Sequence, residues 1–109
     1  MPGLAGLFFC LVMNSDTKNI KRIIIDQSFV LDCGKTIKDF PLAYETYGTL
    51  NQNKTNAILA FHALTGDQFV TNINPITKRE GWWTTVVGPG KAIDTNKYFV
   101  ICANVLGGC

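Results

Sequence analysis

Two short apolar runs constrain this chain more than any other feature: Ala57 to Leu64 (AILAFHAL) and Tyr98 to Leu106 (YFVICANVL). A strand with one wet face alternates apolar and polar residues, whereas these runs are apolar on both faces. That is the pattern of a buried parallel strand, which needs neighbours on either side and layers above and below. Parallel strands also need a long crossover between them, and residues 65–97 supply one. Upstream, Lys21 to Leu31 and Ile37 to Tyr47 are β-branched or partly alternating, with turn chemistry at Asp32-Cys33-Gly34-Lys35 between them. They are expected to pair as antiparallel strands, Pro41 being tolerable near a strand edge or start.

The remaining segments read as connections. Gly48 to Asn56 is a polar loop, and residues 67–81 look irregular, with Asn72, Asn74, Pro75 and Gly81. Trp82 to Val87 is expected to be a short helix or turn, broken by Gly88-Pro89-Gly90. Two early antiparallel strands followed by two buried runs across a crossover give an α/β sheet. The second run ends three residues before the last residue of the sequence, and little amphipathic helix occurs anywhere. The expectation is the N-terminal part of a larger α/β domain, its sheet incomplete and its strand edges open to aggregation.

Composition narrows the function classes. With 47% hydrophobic and 17% charged residues in a 109-residue chain, the sequence is globular and not disordered. A net charge of +2, scattered along the chain, does not suit a nucleic acid or an anionic membrane as main partner. Leu4 to Met13 is apolar, but no Lys or Arg precedes it and no small-x-small cleavage site follows. It falls short of the ~20 residues of a membrane span. Residues 1–20 read as an extension, with Met13 an alternative start, and residues 21–109 as one portion of a domain. The four cysteines, Cys10, Cys33, Cys102 and Cys109, fit no zinc spacing, so no metal site is expected and the thiols are read as reduced.

Few residues could carry chemistry. Ser15 and Ser28 are the only serines, and neither sits in the G-x-S-x-G elbow that presents a nucleophile. Cys109, after two glycines and with His62 as sole candidate base, loosely resembles a nucleophile position. Gly88-Pro89-Gly90-Lys91 fails as a phosphate loop, with Thr85 in place of the first glycine and Ala92 in place of Ser or Thr. His62-Ala63-Leu64-Thr65-Gly66-Asp67 is more informative, because it puts backbone N–H groups at the carboxyl edge of a sheet, where open α/β folds bind ligands. His62 is either a strand-end histidine bonded to this loop or a direct participant in the chemistry.

The blocks Ala43 to Asn51, His62 to Asp67, Gly81-Trp82-Trp83, Gly88 to Thr95 and Tyr98 to Cys109 together resemble the N-terminal region of homoserine O-acetyltransferases. The resemblance covers roughly residues 25–109, in order; residues 1–20 have no counterpart. It implies an α/β-hydrolase-fold acyltransferase that moves acetyl from acetyl-CoA to L-homoserine, in cytoplasmic methionine biosynthesis. The implied mechanism is ping-pong through an activated serine. The Leu64 N–H would be one oxyanion-hole donor, with Ala63, Thr65 and Gly66 shaping its loop. Thr65 and Gly66 would lie beside the homoserine site, and Gly107 and Gly108 close to the same edge. No metal and no cofactor is implied beyond acetyl-CoA as co-substrate, and the whole enzyme would be a homodimer without nucleic-acid or membrane partners. In such enzymes the serine, aspartate and histidine of the triad come later than Cys109, and His62 is not the triad histidine. The 109 residues alone are therefore expected to be inactive. A succinyl-transferring or serine-accepting relative, and a non-catalytic remnant or binding domain, are the alternatives.

Overall fold

Ile23, Ile24 and Ile25 favour extended backbone, and the computed structural model, which describes residues 20–108, places them in a strand, β1 (Lys21–Ile25). The chain then leaves the strand at Asp26-Gln27-Ser28. The single strand expected over Lys21 to Leu31 is thus two, because these short polar residues bond turns more readily than a ladder. The second part, β2 (Phe29–Val30), forms its own small hairpin with β3 (Thr36–Ile37). The expected turn closes it: the Gly34 N–H donates to the Leu31 carbonyl and the Leu31 N–H to that of Lys35, both at 2.8 Å.

β4 (Phe40–Tyr47) pairs antiparallel with β1, Lys21 lying opposite Tyr44 and Ile25 opposite Phe40. The expected antiparallel partnership therefore holds. Beyond β5 (Ala57–Ala60), β6 (Val87–Gly88) and β7 (Ile93–Asp94), the second apolar run supplies β8 (Phe99–Ala103). The main sheet has the order β1-β4-β8-β5, with β8 antiparallel to β4 and parallel to β5. β8 joins β4 only from Tyr44 onward, so among the described residues Pro41 has no strand on that side of β4, the tolerated place for a residue without an N–H. A salt bridge of 2.7 Å from Lys21 Nζ to Glu45 Oε1 ties β1 to β4.

The crossover from β5 to β8 contains the short parallel pair β6–β7 and turns; among the described residues there is no α-helix. Over residues 82–86 the backbone turns and Val87 opens β6, with the Val86 and Val87 N–H groups both donating to the Trp83 carbonyl at 3.0 Å. Backbone turns and side-chain hydrogen bonds, in place of helical ladders, hold the crossover. Asn74 Oδ1 accepts from the N–H groups of Ile76 and Thr77, and Asp94 Oδ1 from those of Gly90 and Asn96. The two hydrogen bonds to the Asp94 carboxylate hold its pKa below the usual carboxylate range.

This crossover lies across one face of the sheet. Val70 and Val87 from it pack with Ala60, Val100 and Cys102 of the strands, flanked by Tyr47, Ile58, Val86 and Ile93. Ile20, Ala43 and Phe69 form a second small cluster. The two apolar runs fare differently. β8 alternates between buried and half-buried residues, whereas Leu59 is 59% exposed, and Phe61, just past β5, 82%. Gln68 is fully buried, and neither atom of its amide meets a hydrogen-bond partner among the described residues.

Candidate active site

Because β5 and β8 are parallel, their carboxyl ends leave the sheet at the same edge, and the loops that follow them stand together there. A cavity of about 230 Å³ lies between them, walled by Phe61 and His62 on one side and Ala103, Asn104 and Val105 on the other. Beyond β8, the Asn104 N–H donates to the Ala43 carbonyl, and its side-chain oxygen accepts from the Val105 N–H, each at 2.8 Å. The chain then turns through Gly107, whose φ of 77° is costly for residues with a Cβ, and closes with the Gly108 N–H on the Val105 carbonyl at 2.9 Å.

The loop after β5 is the more telling of the two. The Gly66 N–H donates to the Ala63 carbonyl at 2.8 Å, which puts Leu64 and Thr65 at the tip of a tight turn. A Cβ on Gly66 would stand 2.8 Å from that of His62, so the turn closes this tightly only with glycine there. The Leu64 side chain is 99% exposed. Its N–H makes no hydrogen bond among the described residues. The structure thus brings Ala63, Leu64, Thr65 and Gly66 into one turn at the carboxyl edge and leaves a backbone donor free at its tip. His62 Nδ1 lies 2.7 Å from the Ala63 carbonyl, so the tautomer protonated there bonds the turn. That geometry is the loop-bonding one of the two readings of His62.

Sequence reasoning did not identify what holds this turn. Asp67 ends it and bonds in four directions. Its Oδ1 accepts from the Phe69 N–H at 2.9 Å and its Oδ2 from Asn74 Nδ2 at 3.1 Å. Its backbone carbonyl accepts from the Trp82 indole N–H at 2.9 Å and, more weakly, from the Cys102 thiol at 3.7 Å. Burial, reinforced by the charge of Asp67, pushes the Cys102 pKa up and keeps the sulfur a protonated donor. A second cavity, of about 300 Å³, opens on this side, lined among others by Thr65, Asp67, Asn74, Arg79 and Trp82. The one local signal was an aspartate two residues before a free backbone N–H, the Asx pattern; the partners at 74, 82 and 102 are set by the fold alone.

Further along, the Tyr47 hydroxyl accepts from the Val70 N–H at 2.9 Å and lies 2.8 Å from Asn72 Oδ1, to which it donates. Burial raises its pKa well above the ordinary tyrosine range. Among the described residues no three His, Cys, Asp or Glu side chains gather as a metal site would require. Nor is any described helix long and apolar enough to cross a membrane. Cys33 and Cys102 are free thiols. Cys109, and with it the Cys109–His62 pairing, lies outside the described residues, as does the alternative start at Met13.

No family model matches the chain. Over 91 residues it is 75% identical to the homoserine O-acetyltransferase of Pelagibacter ubique, a stretch that covers 84% of this chain and 24% of that protein. The crystal structure of homoserine O-acetyltransferase from Bacillus anthracis superimposes with a TM-score of 0.65 at 38% identity, covering 79% of this chain and 23% of that one. An acetylester hydrolase from Corynebacterium glutamicum does so with a TM-score of 0.61 at 30% identity, covering 91% and 24%. These structures are α/β-hydrolase-fold enzymes, and the strand-rich chain corresponds to part of that fold. By sequence and by fold, the chain belongs to the homoserine O-acetyltransferase family and spans about a quarter of the length of the relatives it matches.

Proposed function

We propose that these residues form the oxyanion-hole side of an acyltransferase that moves acetyl from acetyl-CoA to the hydroxyl of L-homoserine, giving O-acetyl-L-homoserine and CoA. The observation that carries this reading is the free Leu64 N–H, at the tip of a turn on the carboxyl edge, in a chain 75% identical to a homoserine O-acetyltransferase. In each half of a ping-pong acyl transfer, a carbonyl oxygen becomes an oxyanion as the carbon goes tetrahedral. A fixed backbone donor 2.7–3.1 Å from that oxygen stabilises both intermediates, and one such donor is worth about 10²–10³ in rate. Leu64 would supply one N–H, and the residue after the nucleophile the second.

Ala63 and Gly66 fix the turn by their mutual hydrogen bond. Thr65 and Gly66 would border the homoserine site. The serine, aspartate and histidine that carry and relay the acyl group would come from outside these 109 residues, which hold no G-x-S-x-G. The reading needs no cofactor beyond acetyl-CoA as co-substrate, and it places the enzyme in methionine biosynthesis in the cytoplasm, as a homodimer without nucleic-acid or membrane partners. The test is product analysis of the full-length protein given L-homoserine or L-serine with acetyl-CoA or succinyl-CoA. O-Acetyl-L-homoserine as the dominant product supports the reading; preference for succinyl-CoA or for serine would replace it with a relative on the same scaffold, and no transfer at all would refute it.

A further inference from the structure

We infer that Asp67 is a positioning residue for acyl transfer, acting through Asn74 to set where the turn at 63–66 points its free N–H; this rests on the proposed role of Leu64. Within itself that turn is held by the Gly66-to-Ala63 hydrogen bond and the His62 contact, both local. Local bonds fix the shape of a turn but not its direction relative to the sheet. The direction is set next door, where Asp67 is fastened to three separate parts of the fold: the Asn74 side chain, the Trp82 indole and the Cys102 thiol of β8.

The Asp67–Asn74 bond is the one whose polarity can be tested. A carboxylate only accepts, and Asp67 meets donors at both oxygens. Asn74 is oriented by its far end, since its Oδ1 accepts from the N–H groups of Ile76 at 2.8 Å and Thr77 at 3.1 Å. That leaves Nδ2 to face Asp67. Backbone bonds at 2.9 Å, from the Asn74 N–H to the Arg79 carbonyl and from the Lys78 N–H to the Asn74 carbonyl, make the 74–79 loop a closed anchor. An oxyanion donor is useful only when correctly placed, and an error of about 1 Å can cost on the order of 10²-fold in rate.

Exchanging the two side chains preserves every hydrogen bond while reversing the central one. In the double variant Asp67→Asn/Asn74→Asp, the amide at position 67 donates to the carboxylate at 74, its oxygen still accepts from the Phe69 N–H, and the carboxylate still accepts from Ile76 and Thr77. In Asp67→Asn alone two amide donors face each other, and in Asn74→Asp alone two carboxylates do. The experiment is steady-state kinetics of the full-length protein and these three variants with acetyl-CoA and L-homoserine. Each single variant is expected to lower kcat by about 10–50-fold with both KM values within about threefold, as for loss of an interaction made in the transition state. The double variant is expected to recover to within about threefold of the unmodified protein. Unchanged kcat in Asp67→Asn would overturn the inference, and so would a folded double variant that stays as slow as the single ones. Should a single variant fail to fold, the kcat of the double variant decides alone. Absence of acetyl transfer by the unmodified protein would instead overturn the acyltransferase reading on which this one stands.

Discussion

The runs Ala57–Leu64 and Tyr98–Leu106 are nearly alike as sequence and unlike as structure. Both give strands of one parallel pair, yet β8 lies between β4 and β5 while β5 has a partner on one side only among the described residues. Val100 and Cys102 are fully buried; Leu59 and Phe61 are more than half exposed. The difference is one of position. β8 has β4 and β5 beside it and the crossover's Val70 and Val87 beneath it, whereas from β5 Ile58 and Ala60, on one face, join that cluster. Hydrophobicity in a strand therefore states what has to be covered, and the place in the sheet decides what covers it. The Leu64 turn follows the end of β5, with its tip residue exposed.

The contrast can be broken at its centre. Val100→Asp buries a carboxylate with no partner, and a loss of more than about 4 kcal/mol is expected. Chemical denaturation should find that variant unfolded without denaturant, and a folded Val100→Asp would mean β8 is not the core strand. A smaller effect is expected from Tyr47→Phe, which leaves the Val70 N–H with only the Gln68 carbonyl at 3.1 Å and should cost about 1–3 kcal/mol. The raised pKa of Tyr47 adds a pH signature. The folded state holds this proton more tightly than the unfolded chain, whose tyrosines titrate near ~10, so the contribution is complete below that pH and falls as pH rises above it. Thermal melts from neutral to alkaline pH should show a shallower decline for Tyr47→Phe than for the unmodified protein. Least of all should come from Leu59→Asp in the 109-residue chain, under about 1 kcal/mol. A cost there as large as at Val100 would show that β5 is covered after all, for example by a second copy.

How much could be read from the residues follows from how local each cause is. The antiparallel pairing of β1 with β4, the Leu31–Lys35 turn and the parallel pairing of β5 with β8 rest on short patterns of β-branched, apolar and turn residues, and these were legible. The break at Asp26–Ser28 was missed because the alternation on either side of it continues through the polar gap. A helix or turn was open at Trp82–Val87, and the turn prevailed; glycines, asparagines and Pro75 keep the crossover from settling into helix. The Leu64 turn was legible through its resemblance to a known family. Its anchoring was not, since Asp67 meets Asn74, Trp82 and Cys102 only once the chain has crossed the sheet. The burial of Gln68, polar in a polar-looking segment, had no local sign at all.

Deleting the Leu64 N–H without disturbing its surroundings tests the central claim most directly. Leu64 is the second residue of its turn, where proline is well accommodated, and its exposed side chain leaves little packing to lose. Leu64→Pro therefore removes the donor, while Leu64→Ala removes the side chain and keeps the donor. Measured as kcat for acetyl transfer to L-homoserine in the full-length protein, Leu64→Pro is expected to fall by about 10²–10³ and Leu64→Ala to stay within about threefold. Equal rates in the two variants would contradict the account, because the N–H at the tip of the turn would then have no part in the chemistry.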